Sequence, residues 1–205
     1  MIIKTDQLTI LSNKDLILKK LIKNCPKPEL EKSNDYLGDL IRHIIFQQIS
    51  TKAGNTIHNR FLEFSSGKNL KENFHWTEKD WKKIGLSKQK KSYIENLFLQ
   101  ENLEMINNLY SIEESSLIRS LLINLKGIGP WTIDMFLIFS KCDLNIFPRG
   151  DLAIIKVIKN LYNVDSMDKI ELIAKRWAPY RSIATLYLWA SLDGYTRKTY
   201  FKEND

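Results

Sequence analysis

Leu125-Lys126-Gly127-Ile128-Gly129-Pro130-Trp131-Thr132, followed after an apolar stretch by Phe147-Pro148-Arg149-Gly150-Asp151, is the part of the chain on which the fold turns. Two glycines flanking an isoleucine let the backbone turn tightly between two helices. With no side chains in the way, N–H groups at the start of the second helix face an anion unobstructed. Pro130 suits the first position of that helix, where its missing N–H costs no hydrogen bond. Ser115 to Asn124 reads as the preceding helix, so residues of about 115–140 form a helix-hairpin-helix suited to docking on a nucleic-acid phosphate backbone. Asp151 follows in a loop of about 146–152, at the head of an amphipathic helix through Leu152, Ile155, Val157, Ile158 and Leu161. A phosphate grip with a lone carboxylate one helix away makes a DNA enzyme the leading hypothesis.

Outward from this segment, apolar residues recur mostly at three and four, and Gly (8) and Pro (5) are too sparse for a turn-rich β protein, so an all-α chain is predicted. Asp15 to Lys23 reads as an amphipathic helix ended by Pro26 and Pro28. Tyr36 to about Phe64 is too long for one helix. Gln47-Gln48-Ile49-Ser50 breaks it, with Ser50 capping a second helix through Ala53, Ile57 and Phe61, closed by Gly67. Thr77 caps a short helix, Gly85-Leu86-Ser87 interrupts the chain, and a helix through Tyr93, Leu97 and Leu99 follows. A last helix runs from about Arg181 through Trp189, after Pro179. No internal repeat or long linker is visible, and a single domain over residues 1–205 is expected.

Bulk properties narrow the classes. The chain has 205 residues, with 31 Lys+Arg against 24 Asp+Glu, and the formal charge of +7 favours a polyanionic partner. Cys25 and Cys142 are isolated, which excludes a CxxC zinc site and a four-cysteine iron–sulfur cluster. His43, His58 and His75 lack metal-ligand spacing and read as packing or surface residues. No apolar run reaches the ~18 residues of a membrane span. A reducing, cytoplasmic location is expected, nucleoid-associated if the source is bacterial.

These residues resemble the helix-hairpin-helix DNA glycosylase superfamily, and within it the DNA-3-methyladenine glycosylase II branch. Three further stretches carry the resemblance: Ile44 to Ala53, Ile84-Gly85-Leu86-Ser87 with Lys90, and Trp177-Ala178-Pro179-Tyr180-Arg181-Ser182-Ile183-Ala184 leading to Trp189. Five ordered blocks form a far stronger signal than one GxG. The resemblance implies an all-α fold of two lobes with a cleft between them, and no larger β-containing N-terminal domain. It implies Asp151 as the catalytic residue, Trp131, Met135 and Trp189 as the base pocket, and Gln48 as the wedge filling the gap in the duplex. Gly127, Ile128, Gly129 and Thr132 form the phosphate-binding hairpin, and the carbonyls of Ile123, Leu125 and Ile128 hold a monovalent cation, Na+ or K+, bridging to DNA. Trp131 stands where strand-cleaving relatives carry a lysine nucleophile, so a monofunctional enzyme is implied. No cofactor is required, and the partner is duplex DNA with damaged bases, bound by a monomer. Ile133 and Ala190 depart from the family pattern.

The chemistry fits the residues. A base inside a duplex is unreachable until it is flipped out, and damaged bases flip at lower cost. An N-alkylated purine such as 3-methyladenine or 7-methylguanine is cationic and already a good leaving group. The demand left is to stabilise an oxocarbenium-like sugar and position water, which one carboxylate at a helix N-terminus suits. Aromatic faces of Trp131 and Trp189 attract a cationic base. Each residue also has a plainer use: Asp151 as an N-cap, Trp131, Trp189 and Met135 as core, and Gln48 as a partner for the helix break. Asp134 reads as helix surface and Asp143 as loop. Lys88, Lys90, Lys91, Arg149 and Arg181 are candidates for phosphate contact or for an ordinary solvated face. Two alternatives remain open: a non-catalytic helix-hairpin-helix DNA-binding module, and a glycosylase for another base lesion.

Overall fold

The computed structural model describes residues 3–65 and 76–192, and among them every regular element is helical. Gly67 and His75 lie outside the described residues. No described helix is long and apolar enough to cross a membrane. The chain forms two compact units. One contains Ser33–Phe136; the other joins the residues up to Lys32 to those from Leu137 onward.

The Ser33–Phe136 unit holds α3 (Tyr36–Phe46), α4 (Thr51–Ser65), α5 (Glu78–Ile84), α6 (Lys88–Leu97), α7 (Gln100–Asn108), a 3-10 turn (Leu109–Ser111), α8 (Ser115–Leu122) and most of α9 (Pro130–Phe139). Its centre is α3, which buries Leu37, Leu40, Ile41, Ile44 and Ile45 and packs on α4, α6 and α7. The polar break at residues 47–50 separates α3 from α4 as expected, and the Ser50 hydroxyl accepts from Ala53 N at 3.3 Å. Gly54 permits the close approach there, because a Cβ would stand 2.7 Å from the Phe46 ring. Thr77 and Asp80 form a capping box at the head of α5.

The second unit holds α1 (Thr5–Lys14), α2 (Leu16–Asn24), α10 (Leu152–Tyr162), α11 (Met167–Arg176) and α12 (Arg181–Ala190). Every residue of α12 from Ser182 to Trp189 is buried, and α2 and α10 pack against it. A helix apolar on all sides occupies a core position. Burial of each large aliphatic side chain there contributes about 1.5–3 kcal/mol. Asp15 joins the remaining helices. Its Oδ1 caps α2 by accepting from Ile17 N (2.9 Å) and Leu18 N (3.1 Å). Its Oδ2 accepts from Tyr162 OH (2.9 Å), Trp177 Nε1 (3.0 Å) and Arg176 (3.3 Å). The carboxylate is thus a buried, fully used structural group.

Several expectations need correction. Helices α1, α7 and α11 add to the elements read from the sequence. Leu99 precedes α7 instead of ending α6, and Asn124 falls beyond the end of α8. The inward face of α10 is Ile154, Val157 and Ile158, whereas Leu152 and Leu161 are exposed. Asp134 is not on the helix surface. Because α9 is enclosed almost all round, Asp134 is buried and is met by Arg119 of α8 at 2.6 Å. Burial pushes its carboxyl above the ordinary range, and the Arg119 guanidinium opposes that rise.

His43 and His58 titrate abnormally. Burial first, and the neighbouring Arg42 cation second, push His43 down to about 3 and His58 down to about 4; Asp39 partly offsets this at His58. The unfolded chain takes up these protons near 6.5, so the folded state is fully favoured above that pH and loses ground as the pH falls toward 3. A series of urea unfolding midpoints from pH 7 to pH 4 is expected to decline, and more shallowly for His43→Leu combined with His58→Gln. Parallel declines would exclude these histidines as the cause.

Candidate functional site

The hairpin sits on α6. Gly127 adopts φ +84°, a region that favours glycine, and a Cβ on it would stand 2.1 Å from the Tyr93 ring. Lys126 N donates to Asn96 Oδ1 (3.1 Å) and Lys126 Nζ to Ser92 Oγ (2.8 Å). Ile128 is buried, and its N–H closes the turn onto Leu125 O at 3.0 Å. Gly129 differs from Gly127. Nothing lies within 4 Å of a Cβ built there, so its outward side is open. The two glycines therefore have separate roles: Gly127 for packing, Gly129 for access.

Pro130 opens α9, and Ile133 N donates back to Gly129 O at 3.0 Å. The first-turn N–H groups before Ile133 have no acceptor within the helix, which suits a helix N-terminus to an anion. The Thr132 hydroxyl is turned inward and accepts from Gln47 Nε2 at 2.9 Å. The same Gln47 amide donates to Gly127 O at 2.8 Å. Gln47 thus ties the α3–α4 turn to the hairpin, a role its position in the sequence did not disclose. Next to it, Gln48 is exposed with φ +55°. A non-glycine residue held there stores about 1–2 kcal/mol of strain.

Trp131 and Met135 lie four residues apart on one side of α9, with Trp131 half-buried and Met135 fully buried. In the other unit Asp151 and Trp189 come together. Asp151 is 5% exposed. Its Oδ1 caps α10 by accepting from Ile154 N at 2.9 Å, and Trp189 Nε1 approaches the same oxygen at 3.5 Å. Trp189 stacks on Phe139 at 5.8 Å. The N-cap bond fixes the direction of this carboxylate and does not preclude a chemical role for it.

The approach to Asp151 is pinned at several points. Arg149 N donates to Phe147 O and Asp151 N to Pro148 O, both at 2.9 Å, forming a tight turn. Phe147 meets the Trp177 ring edge at 6.1 Å. Ser182, fully buried, donates from Oγ to Asp143 O (2.6 Å) and accepts from Ile146 N (2.9 Å). Arg181 Nε donates to Asn145 Oδ1 at 2.9 Å. In the sequence, the one hint of Ser182 as a loop anchor is its place at the start of an otherwise largely apolar helix. The five candidate cations also separate. Arg149 pairs with Glu171 at 2.9 Å, Lys91 pairs with Glu78, and Lys88 is exposed. Lys90 is turned inward, donating to Ile45 O (2.7 Å) and Gln47 O (2.8 Å), and burial lowers its pKa.

Comparison with known proteins gives this geometry a context. No protein-family model matches the chain. Over 198 residues it is 29% identical to DNA-3-methyladenine glycosylase 1 of Schizosaccharomyces pombe, covering 88% of this chain and 83% of that protein. It is 30% identical over 198 residues to the DNA-3-methyladenine glycosylase of Saccharomyces cerevisiae, covering 76% of this chain and 66% of the yeast protein. Among solved structures, the S. pombe 3-methyladenine DNA glycosylase Mag1, in complex with abasic DNA, superposes with a TM-score of 0.78 at 25% identity, over 94% of this chain and all of that one. The fold is the all-α fold of the helical DNA glycosylases. The chain belongs to the family of helix-hairpin-helix DNA-3-methyladenine glycosylases.

Gly127→Ala is expected to destabilise the protein by about 2–4 kcal/mol, from backbone strain and overlap with Tyr93. In urea titrations, Tyr93→Ala is expected to recover part of that loss. Gly129→Ala should cost less than about 1 kcal/mol while weakening duplex binding. Additive losses at Gly127 and Tyr93 would contradict the packing role.

Proposed function

We propose that the protein is a monofunctional glycosylase of base excision repair, of the DNA-3-methyladenine glycosylase II type. It hydrolyses the N-glycosidic bond of 3-methyladenine and 7-methylguanine flipped out of duplex DNA. The observation that carries this reading is a buried carboxylate, Asp151, held in one direction by its cap on α10 with the Trp189 indole beside it. The relatives named above supply the substrate class.

The alkylated purine departs as a neutral base, so bond cleavage does not require a strong acid. Asp151 stabilises the positive charge that develops on the sugar and orients the attacking water. The bond between C1′ and the purine nitrogen breaks, water adds at C1′, and its surplus proton passes to the carboxylate or solvent. Trp131 and Trp189 hold the cationic base by stacking, each contributing about 0.5–2 kcal/mol. Met135 closes the pocket wall. With Trp131 in place of a lysine, no Schiff base forms and the strand is left intact.

Gln48, exposed and strained, fills the gap left by the extruded nucleotide. The hairpin of Gly127, Ile128, Gly129 and Thr132 docks the phosphate backbone at its open side by Gly129, where first-turn N–H groups of α9 meet the anion while Gly127 and Ile128 hold the turn in place. The carbonyls of Ile123, Leu125 and Ile128 are neutral hard donors that suit Na+ or K+. Leu125 O already accepts one hydrogen bond, which leaves it a second lone pair. Such a cation supplies positive charge against a phosphate. The protein acts as a monomer.

Asp151→Asn keeps the shape and cap but removes the charge. Base release from methylated duplex is expected to fall by at least about 10²-fold, with duplex affinity unchanged or tighter. Release at the wild-type rate would refute the catalytic assignment. Absence of release by both proteins, with salt-sensitive DNA binding retained, would favour another lesion or a binding module.

A further inference from the structure

Lys90 is a cation that the family chemistry leaves unused. It projects from the first turn of α6, where its own N–H is fixed by the Ser87 cap at 3.2 Å. Its ammonium is spent inside the Ser33–Phe136 unit, donating to Ile45 O at 2.7 Å and Gln47 O at 2.8 Å. Those carbonyls belong to the end of α3 and to its C-cap residue, which lack partners within the helix, at the pole where a positive charge is favoured. Gln47 in turn spends its side-chain amide on Gly127 O and Thr132 Oγ1. Residue 48, the next along the chain, carries the left-handed φ of +55°. One peptide unit thus receives Lys90 on its carbonyl side immediately before Gln48, while its residue's side chain reaches the hairpin.

We infer that Lys90 is a positioning residue that, through Gln47, holds Gln48 in its strained exposed conformation and in fixed register with the phosphate-gripping hairpin. The inference deepens the proposed function and rests on the reading of Gln48 as the duplex wedge. A strained turn persists only where its surroundings over-determine it, and two short charge-assisted bonds on one side with two amide bonds on the other do so here. Lys90 touches no reacting atom. It acts by keeping the wedge at a set distance from the backbone grip, so that insertion and docking occur in one encounter. A lysine that only capped α3 for stability would leave Gln48 unaffected.

The test is a double-mutant cycle joined to hydrogen exchange on the full chain. In Lys90→Met, amide exchange across residues 47–50 should accelerate about tenfold or more, with α6 and the hairpin unchanged. Single-turnover release of 7-methylguanine from methylated duplex should slow about tenfold or more, while affinity for undamaged duplex stays within about threefold. In a Gln48→Ala background the same substitution should add little, because the residue it positions has gone. Additive slowing, or unchanged exchange at 47–50, would overturn the inference. Lys90→Gln, which keeps an N–H donor on a shorter stem, replaces the Met variant should that fail to fold. Absence of base release by the wild type would sink the enzymatic reading, and the exchange arm would still decide the clamp.

Discussion

The contact of Gly127 with the Tyr93 ring is the constraint on which the rest of the hairpin depends. Only a residue without a Cβ, free to take φ +84°, allows the turn to lie flat on α6. Once it does, Lys126 reaches Ser92 and Asn96, Ile128 enters the core, and Gly127 O meets the Gln47 amide. The first turn of α9 is then set in a fixed direction, with the open side of Gly129 outward. The proposed phosphate grip, made of backbone N–H groups, has no side-chain reach to correct an error, so its rigidity has to come from what lies beneath it. The order of dependence runs from aromatic ring to glycine to turn to helix N-terminus.

A similar economy governs the carboxylate. Asp151 is buried, yet it is not left as an isolated charge, because the head of α10 supplies a hydrogen bond to Oδ1. The loop before it is held by a serine, an arginine–asparagine pair and an aromatic edge. Asp15 too is buried and caps a helix, and Tyr162, Arg176 and Trp177 bind its other oxygen. Burial of a helix-capping carboxylate does not by itself mark a catalytic one.

The sequence disclosed those parts of the fold where local rules and tertiary packing agree. The breaks at 47–50 and 85–87, the caps at Thr77 and Asp151, and the opening of α9 at Pro130 rest on local chemistry and appear in the structure. Helices α1, α7 and α11 did not stand out, because a short helix with a polar surface is stabilised by the elements it meets. Asp134 was misplaced for the opposite reason. Periodicity assigns a polar residue to solvent, but a helix enclosed all round has no solvent side, and the partner Arg119 lies fifteen residues away. The family blocks named Gln48 and Lys90 without the bonds that connect them. Those bonds join residues 43 to 85 positions apart, a distance no local pattern spans.

The central claim is that one carboxylate, without a lysine nucleophile, releases alkylated purines and leaves the sugar–phosphate strand whole. The most direct measurement incubates the protein with a methylated, end-labelled duplex and follows free base by chromatography and strand length by gel, before and after hot alkali. The account predicts free 3-methyladenine and 7-methylguanine, an uncut strand, and cleavage only on alkali treatment. A strand already cut before alkali, or no free base with DNA binding intact, would contradict it.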